Sequence, residues 1–446
     1  MRAIYGGLLV CVLIGCGSHQ GDDGGDDQGT PDAPAACVGL ECQIVDCAKT
    51  GQPPTSLTGT VFAPNGSLPL FGVDVYVPRD LPLPAFAEGA QCSRCLKDLP
   101  GFPLATAQTD DAGRFRLDNV PAGQAIPLVI TTGKWRRQIT IPRIEPCAET
   151  ATADVDTRLP RNQGEGDIPR IAITTGEWDT LECLVRKLGI DDTEIGKQGE
   201  ARRIHLYEGN GVDRFQSGFP GGSGDLTSAT PLWSSSANLR AYDMVFLSCE
   251  GAQNGATKPQ AALDAMKEYA DLGGRVFASH WHNIWISGEF QDPEQPQKPQ
   301  VWDTLGTWTD GDAFDAPVQI DEAGNPKGAA FATWMKNVGA STTRGQFDVQ
   351  EGRTTSVTID PARTERWVYQ QTPMKNPQMF QFTTPLEVPS AERCGKVVFT
   401  DMHVSGKAVG LTPYPTHCIG GTTLTPQEKA LAFMFFDIAS CVGPIL

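Results

Sequence analysis

The sequence predicts a multidomain protein, a small all-β sandwich followed by a doubly wound α/β parallel sheet that carries a long insertion. Three observations predict it. Residues 55–160 alternate apolar and polar positions in short runs bounded by Gly and Pro, the pattern of half-buried strands joined by turns. From Ile168 onward short apolar runs alternate with segments of helical spacing, the pattern of βα units. Ahead of both lies a short greasy segment followed by a polar stretch, which sets them apart from the chain start. With 446 residues, 40% hydrophobic and 20% charged, the chain has material for more than one core and the composition of a globular protein. Its net charge of −17 argues against nucleic acid as a partner, because phosphate recognition needs clustered positive charge.

The chain opens with Arg2 and the run Leu8-Leu9-Val10-Cys11-Val12-Leu13-Ile14, then Gly15-Cys16, a charged start and a greasy core too short to span a membrane. Leu13-Ile14-Gly15-Cys16 resembles the lipobox of bacterial lipoproteins. That resemblance implies that residues 1–15 are a signal peptide and that Cys16 is lipidated, so that the mature chain is held to a membrane through its N-terminal lipid. Gly17 in place of Asp after the Cys implies the outer membrane or cell surface rather than the inner membrane. Residues 16–36 then read as a tether, since the stretch is rich in Gly, Asp and Pro with almost nothing to bury. Its Asp22, Asp23, Asp26 and Asp27 repel one another, and nothing there fixes the geometry of a calcium cage.

Setting aside Cys11 and Cys16, the cysteines at 37, 42, 47, 92, 95, 147, 183, 249, 394, 418 and 441 are expected to be largely disulfide-bonded in an exported protein. The number is odd, so at least one thiol is free, capped or intermolecular. Cys37, Cys42 and Cys47 recur every five residues in a Cys-rich segment over 37–54, and the simplest arrangement has these three staple the N-terminal region together with Cys92, Cys95 and Cys147. A zinc knuckle at Cys92-x-x-Cys95 is the alternative, with no second CxxC or HxxxH pair at finger spacing to complete it.

In the sandwich, Thr58-Gly59-Thr60-Val61 opens one strand and Gly72-Val73-Asp74-Val75-Tyr76-Val77 makes another. The turn Thr109-Asp110-Asp111-Ala112-Gly113 leads into Phe115-Arg116-Leu117, and Val120-Pro121-Ala122-Gly123 leads toward Pro127-Leu128-Val129-Ile130. This series resembles the carboxypeptidase regulatory-like (transthyretin-like) domain, and the resemblance implies a fold and a surface role without catalysis. The one basic cluster, Lys134-Trp135-Arg136-Arg137, fits a solvated strand edge, an anionic glycan or a neighbouring domain.

In the α/β part, apolar runs predict five strands at Ile171–Ile173, Ile204–Tyr207, Met244–Ser248, Arg275–Ser279 and Lys396–Thr400. Leu181, Leu184, Val185 and Leu188 sit at i, i+3, i+4 and i+7 on one helix, which Gly189 ends. Leu263, Met266 and Ala270 face inward on a second helix, stopped by Gly273-Gly274. Thr425-Pro426-Gln427-Glu428 is a capping box with Pro at the first helical position, opening a last helix that buries Leu431, Met434, Phe435 and Ile438. The order YDMVFLSCEG, helix, GGRVFASHWH, insertion over about 286–393, CGKVVFTDMH resembles the class I glutamine-amidotransferase-like fold and its ThuA-like branch, which implies a flavodoxin-like sheet over 168–446. Within the insertion, a helix at Ala329–Val338 and β-runs at Thr354–Ile359, Arg366–Gln370 and Met379–Phe382 are expected. The order of lipobox, tether, Cys-rich segment, sandwich and α/β domain resembles myxobacterial-type surface lipoproteins.

Open α/β sheets bind ligands beyond the carboxyl ends of their strands, so the polar residues there are the candidates. An amidotransferase needs a Cys at the turn after the fourth strand. That turn reads Ala278-Ser279-His280-Trp281-His282, and glutamine hydrolysis is not expected. Cys249 follows the third strand in Ser248-Cys249-Glu250-Gly251 and reads as a buried or disulfide-bonded residue or as a reactive thiol that needs a nearby His. His280, His282 and His403 are three of six histidines in the chain. As neutral imidazoles they are a candidate zinc set for a metal-dependent hydrolase, with Glu250 or Asp401 as general base. Trp281, Trp285, Trp302 and Trp308 stand among acidic residues, where ring faces stack on sugars and carboxylates accept hydroxyl hydrogen bonds, or else form the small core of the insertion. The leading expectation is a membrane-anchored surface lipoprotein that binds an extracellular ligand such as a glycan or a surface protein without catalysis. The metal-dependent hydrolase stands second, and a cysteine-dependent enzyme at Cys249 third.

Overall fold

Five parallel strands form the central sheet, each short, largely apolar and buried but for the partly exposed Glu208. In the computed structural model, Ile204–Glu208, Ile171–Thr174, Met244–Leu247, Arg275–Ser279 and Gly395–Thr400 lie side by side in that order, in register and parallel throughout. By position along the chain the order is 2-1-3-4-5. The residues described are 37–95, 99–290, 301–302, 305–372, 375–403, 412–418 and 420–443. Cys16, the tether and its aspartates lie outside them.

Alternation along these strands feeds two cores. Ile171, Ile173, Met244, Phe246, Phe277 and Val398 pack with Leu181, Leu184 and Val185 of the helix Leu181–Lys187 and with Leu431, Met434 and Phe435 of the helix Pro426–Ala439. Ala172, Val245, Leu247, Val276, Ala278, Val397 and Phe399 pack with Leu263, Met266 and Ala270 of the helix Gln260–Asp271. The predicted capping box is present, with Thr425 accepting from the Glu428 amide and Glu428 reaching back to the Thr425 amide. No helix of the described residues is long and apolar enough to cross a membrane.

The insertion extends this sheet rather than standing apart from it. Pro377–Thr384 pairs antiparallel with Gly395–Thr400, followed outward by Glu365–Gln370, Ala313–Ile320 and Gln346–Arg353. The expected helix is found at Gly328–Asn337. Ala313–Ile320 and Gln346–Arg353 are strands that hydropathy does not reveal, because about half of their positions face solvent.

Residues 56–151 form a three-stranded and a four-stranded sheet, with Ser56–Thr60 central in one and Asp74–Pro78 and Gly123–Thr132 inner in the other. Their buried residues, among them Leu57, Val75, Phe115, Leu117, Leu128 and Ile130, belong to the same continuous core as the first face of the central sheet. The basic cluster sits at that seam. Trp135 is buried against Phe435 and Phe436, Lys134 pairs with Asp243, and Arg136 donates to Asp167. Of its three readings, the neighbouring domain is the one the contacts support.

The disulfides correct the expected stapling. Cys47 bonds Cys147 within the N-terminal half, whereas Cys92 bonds Cys394 and Cys95 bonds Cys441, so the CxxC pair ties the loop after Asp74–Pro78 to the far end of the chain. Cys183 bonds Cys418, and Cys37 and Cys42 are also oxidised. Cys249 is the free thiol among the described cysteines.

Candidate functional site

The turn after the fourth strand builds the site. Arg275–Ser279 ends in a 3-10 turn, His280–Asn283, and His280 itself sits at φ 39°, the left-handed region that a side-chain-bearing residue seldom occupies. Strain of this kind is held only where the surroundings over-determine it. The sharp turn after the fourth strand thus presents an imidazole at the strand ends. His280 Nδ1 lies 3.4 Å from Cys249 Sγ and 3.2 Å from His403 Nε2. Its Nε2 lies 3.0 Å from Thr355 Oγ1. The hydroxyl and amide of Thr355 face the Asp401 carboxylate, which also accepts from the Ser356 amide at 2.9 Å.

Cys249, His280 and His403 are all buried, and their ligand atoms lie within 4.8 Å of one another. Each imidazole is held neutral. Burial, reinforced by His403 and Arg353, pushes His280 well below its usual range, and burial with Arg353 brings His403 to about 4. Burial also pushes the Cys249 thiol up, with Asp179 adding to it, while the amides of Trp281 and Gly251 face the sulfur. As a lone group this thiol is protonated at neutral pH, which counts against Cys249 as an unassisted nucleophile.

His282 does not join the set, and the reason is local. A 3-10 turn advances one residue in about 120°, so residues two apart face away from each other, whereas in a strand they would share a side. His282 Nδ1 instead accepts from Trp285 Nε1 at 3.0 Å, and its Nε2 lies 3.7 Å from Glu250. Burial holds it neutral at about 4 despite that carboxylate. Cys249 takes the place expected for His282.

Glu250 is likewise turned aside. It follows Cys249 and points the other way, into a buried ion pair with Lys258 at 2.6 Å and a hydrogen bond from Asn254 at 2.9 Å. Burial opposes its charge, but His282 and Lys258 outweigh it and hold the carboxyl below its usual range. Asp401 reaches the set only through Thr355, and burial raises it to about 7 despite the amides of Ser356 and Thr355. Neither carboxylate is positioned as the expected general base.

Above the trio lies a pocket of about 180 Å³ lined by Trp178, Gly251, His280, Trp281, Arg353 and His403. Gly251, at φ 87°, is required here, because a Cβ would meet the Trp178 ring at 2.9 Å. Gly176 is required too, because a Cβ there would meet the Cys249 carbonyl oxygen at 2.3 Å. The Arg353 guanidinium stands 5.8 Å from the Trp178 ring, and its Nε is buried without a hydrogen-bond partner among the described residues. Of the four candidate tryptophans, only Trp281 reaches this pocket. Trp285 and Trp302 are core residues packed on Trp233 and Phe382, and half-buried Trp308 packs on Phe399.

Trp178, Arg353 and Thr355 were not among the expected site residues. Trp178 follows the first strand in Thr174-Thr175-Gly176-Glu177-Trp178, so the strand-end rule that selected Cys249 and His280 would have reached it. Arg353 and Thr355 come from the insertion and carry no such mark.

No family model and no curated protein matches the sequence. Among solved structures, a type II cohesin–X-dockerin complex from Acetivibrio cellulolyticus contains a chain 16% identical over 33% of this chain and 78% of its own, with a TM-score of 0.16. A cytoplasmic protein from Salmonella typhimurium is 11% identical over 61% of this chain and 99% of its own, with a TM-score of 0.31. Likenesses this low carry nothing about the fold or the site.

Proposed function

We propose that this chain is an exported lipoprotein, held at the outer membrane or cell surface through a lipid on Cys16, that binds a small extracellular ligand at the strand ends of its α/β domain. In this reading the domain is flavodoxin-like, of the amidotransferase-like, ThuA-like kind, and the N-terminal sheets are a regulatory-like sandwich that serves as spacer. The strand order 2-1-3-4-5 and the cores on both faces of the sheet support the first assignment. The observation that carries the function is convergence. Trp178, Gly251, His280, Trp281, Arg353 and His403, from separate segments of the chain, meet in one pocket beyond the strand ends.

The size and chemistry of the pocket narrow the ligand. At about 180 Å³ it is smaller than the roughly 300–1,000 Å³ that drug-sized ligands occupy, so it takes one terminal group and not a whole oligosaccharide. Two indole rings and the guanidinium of Arg353 suit a carboxylate-bearing group, such as an acidic sugar. Calorimetric titration of the chain from Gly17 onward with neutral and acidic monosaccharides tests this. Saturable binding of the acidic ones, lost in Trp281→Ala and Arg353→Ala, supports it, and no binding of either kind contradicts it. A second reading, a metal-dependent hydrolase, is favoured by the approach of Cys249 and His403 to one nitrogen of His280.

A further inference from the structure

We propose that Cys249, His280 and His403 are the three protein ligands of a zinc-class metal ion whose remaining coordination position faces the pocket of Trp178, Trp281 and Arg353. The proposal rests on the geometry of the trio and stands whether or not the pocket binds an acidic group.

Two of the three separations in the trio match the geometry of a metal site. Tetrahedral zinc holds nitrogen at about 2.0–2.1 Å and sulfur at about 2.3 Å, which places two nitrogen ligands about 3.3 Å apart and a nitrogen and a sulfur about 3.6 Å apart. The observed separations from His280 Nδ1 are 3.2 Å to His403 Nε2 and 3.4 Å to Cys249 Sγ, both within about 0.2 Å of that geometry.

Hydrogen bonding alone accounts for the trio poorly. With Nε2 donating to Thr355, His280 offers one in-plane lone pair at Nδ1, and both the thiol and His403 Nε2 crowd it. Only one of them can donate along that lone pair, and the other keeps its short approach to the same nitrogen without a proton of its own there. A cation satisfies all three at once.

The surroundings are those of a ligand set. Thr355, with Asp401 behind it, holds His280 through Nε2 and leaves Nδ1 to the trio, as outer partners of metal-bound histidines do. The amides of Trp281 and Gly251 face the sulfur and would support a thiolate. Cys249 remains a thiol while every other described cysteine is oxidised. Binding breaks the Cys249 S–H bond and forms a sulfur–metal bond, and the proton leaves to solvent.

The test uses the chain from Gly17 onward, purified without added metal, stripped with chelator and reloaded with zinc or with cobalt(II). Expected are about one metal per chain after reloading and a thiolate-to-cobalt charge-transfer band. Cys249→Ser should abolish the band, and His403→Gln should weaken the metal at least tenfold, while His282→Gln should keep both band and stoichiometry. Reloading the stripped wild-type chain makes the result independent of whether a variant folds. Failure of that chain to take up metal, or equal loss in His282→Gln and His403→Gln, would overturn the proposal. Metal uptake without binding of acidic sugars would keep this site and refute the ligand reading instead.

Discussion

Cys249 Sγ lies 3.4 Å from His280 Nδ1 although 31 residues separate them in sequence. The contact exists because the third and fourth strands are parallel neighbours, Met244–Leu247 beside Arg275–Ser279, and both open toward the same end of the sheet. A parallel sheet delivers residues from distant βα units to one edge, and the left-handed backbone at His280 aims the ring back across that edge.

Thr355 is a positioning residue in this account, joining His280 to Asp401. Thr355→Val keeps the shape and removes the hydroxyl. Metal affinity measured by chelator competition should fall about 10–100-fold, and Thr355→Ser should restore most of it. A purely structural role would show as lower thermal stability with unchanged affinity in the valine variant.

The disulfide pattern predicts a peptide map. Non-reducing digestion and mass spectrometry should recover Cys47–Cys147, Cys92–Cys394, Cys95–Cys441 and Cys183–Cys418, with Cys249 alkylated only after unfolding. Replacing Cys95 and Cys441 together by Ser should lower stability by about 2–4 kcal/mol, the usual effect of losing a native bridge, with Cys92–Cys394 still joining the same two segments.

Some of this was legible in the sequence and some was not. The five parallel strands are continuous apolar runs between turn signals, and Thr425 with Glu428 marks its helix start outright, so both could be read locally. Cys249, His280 and His403 were each visible as polar residues at strand ends. Their grouping was not, because whether His280 and His282 share a side depends on the strand stopping at Ser279, a one-residue boundary that hydropathy does not resolve. The partners of Cys92 and Cys95 lie 302 and 346 residues away, and cysteine spacing carries no trace of them. Trp285 and Trp302 read equally as platform or core until their burial is known.

Phe433 ties three parts of the molecule together. Its ring meets Phe71 of the N-terminal half and Phe331, Trp334 and Trp367 of the insertion, with centroids 4.7 to 5.9 Å away. Phe433→Ala should cost about 3–5 kcal/mol by denaturant unfolding, the usual price of removing a buried aromatic ring. Phe433→Leu should recover most of that loss.

Asp437 supplies a pH dependence with a definite sign. Burial raises its carboxyl, but Lys327 and Lys396 outweigh burial and hold it well below the usual carboxylate range. A folded-state value below the unfolded one contributes stability that is full above the unfolded value of about 3.9 and is lost as pH falls below it. Asp437→Asn should flatten this acid limb in thermal melts taken from pH 7 downward. At neutral pH it should cost about 3–5 kcal/mol, because the buried Lys396 loses its counter-charge.

The most direct measurement is anomalous diffraction at the zinc absorption edge from crystals of the zinc-loaded chain. The account predicts a peak between Cys249 Sγ, His280 Nδ1 and His403 Nε2, about 2.3 Å from the sulfur and about 2.0–2.1 Å from each nitrogen. A map without a peak there, or with the zinc on His282 and Glu250, would contradict it.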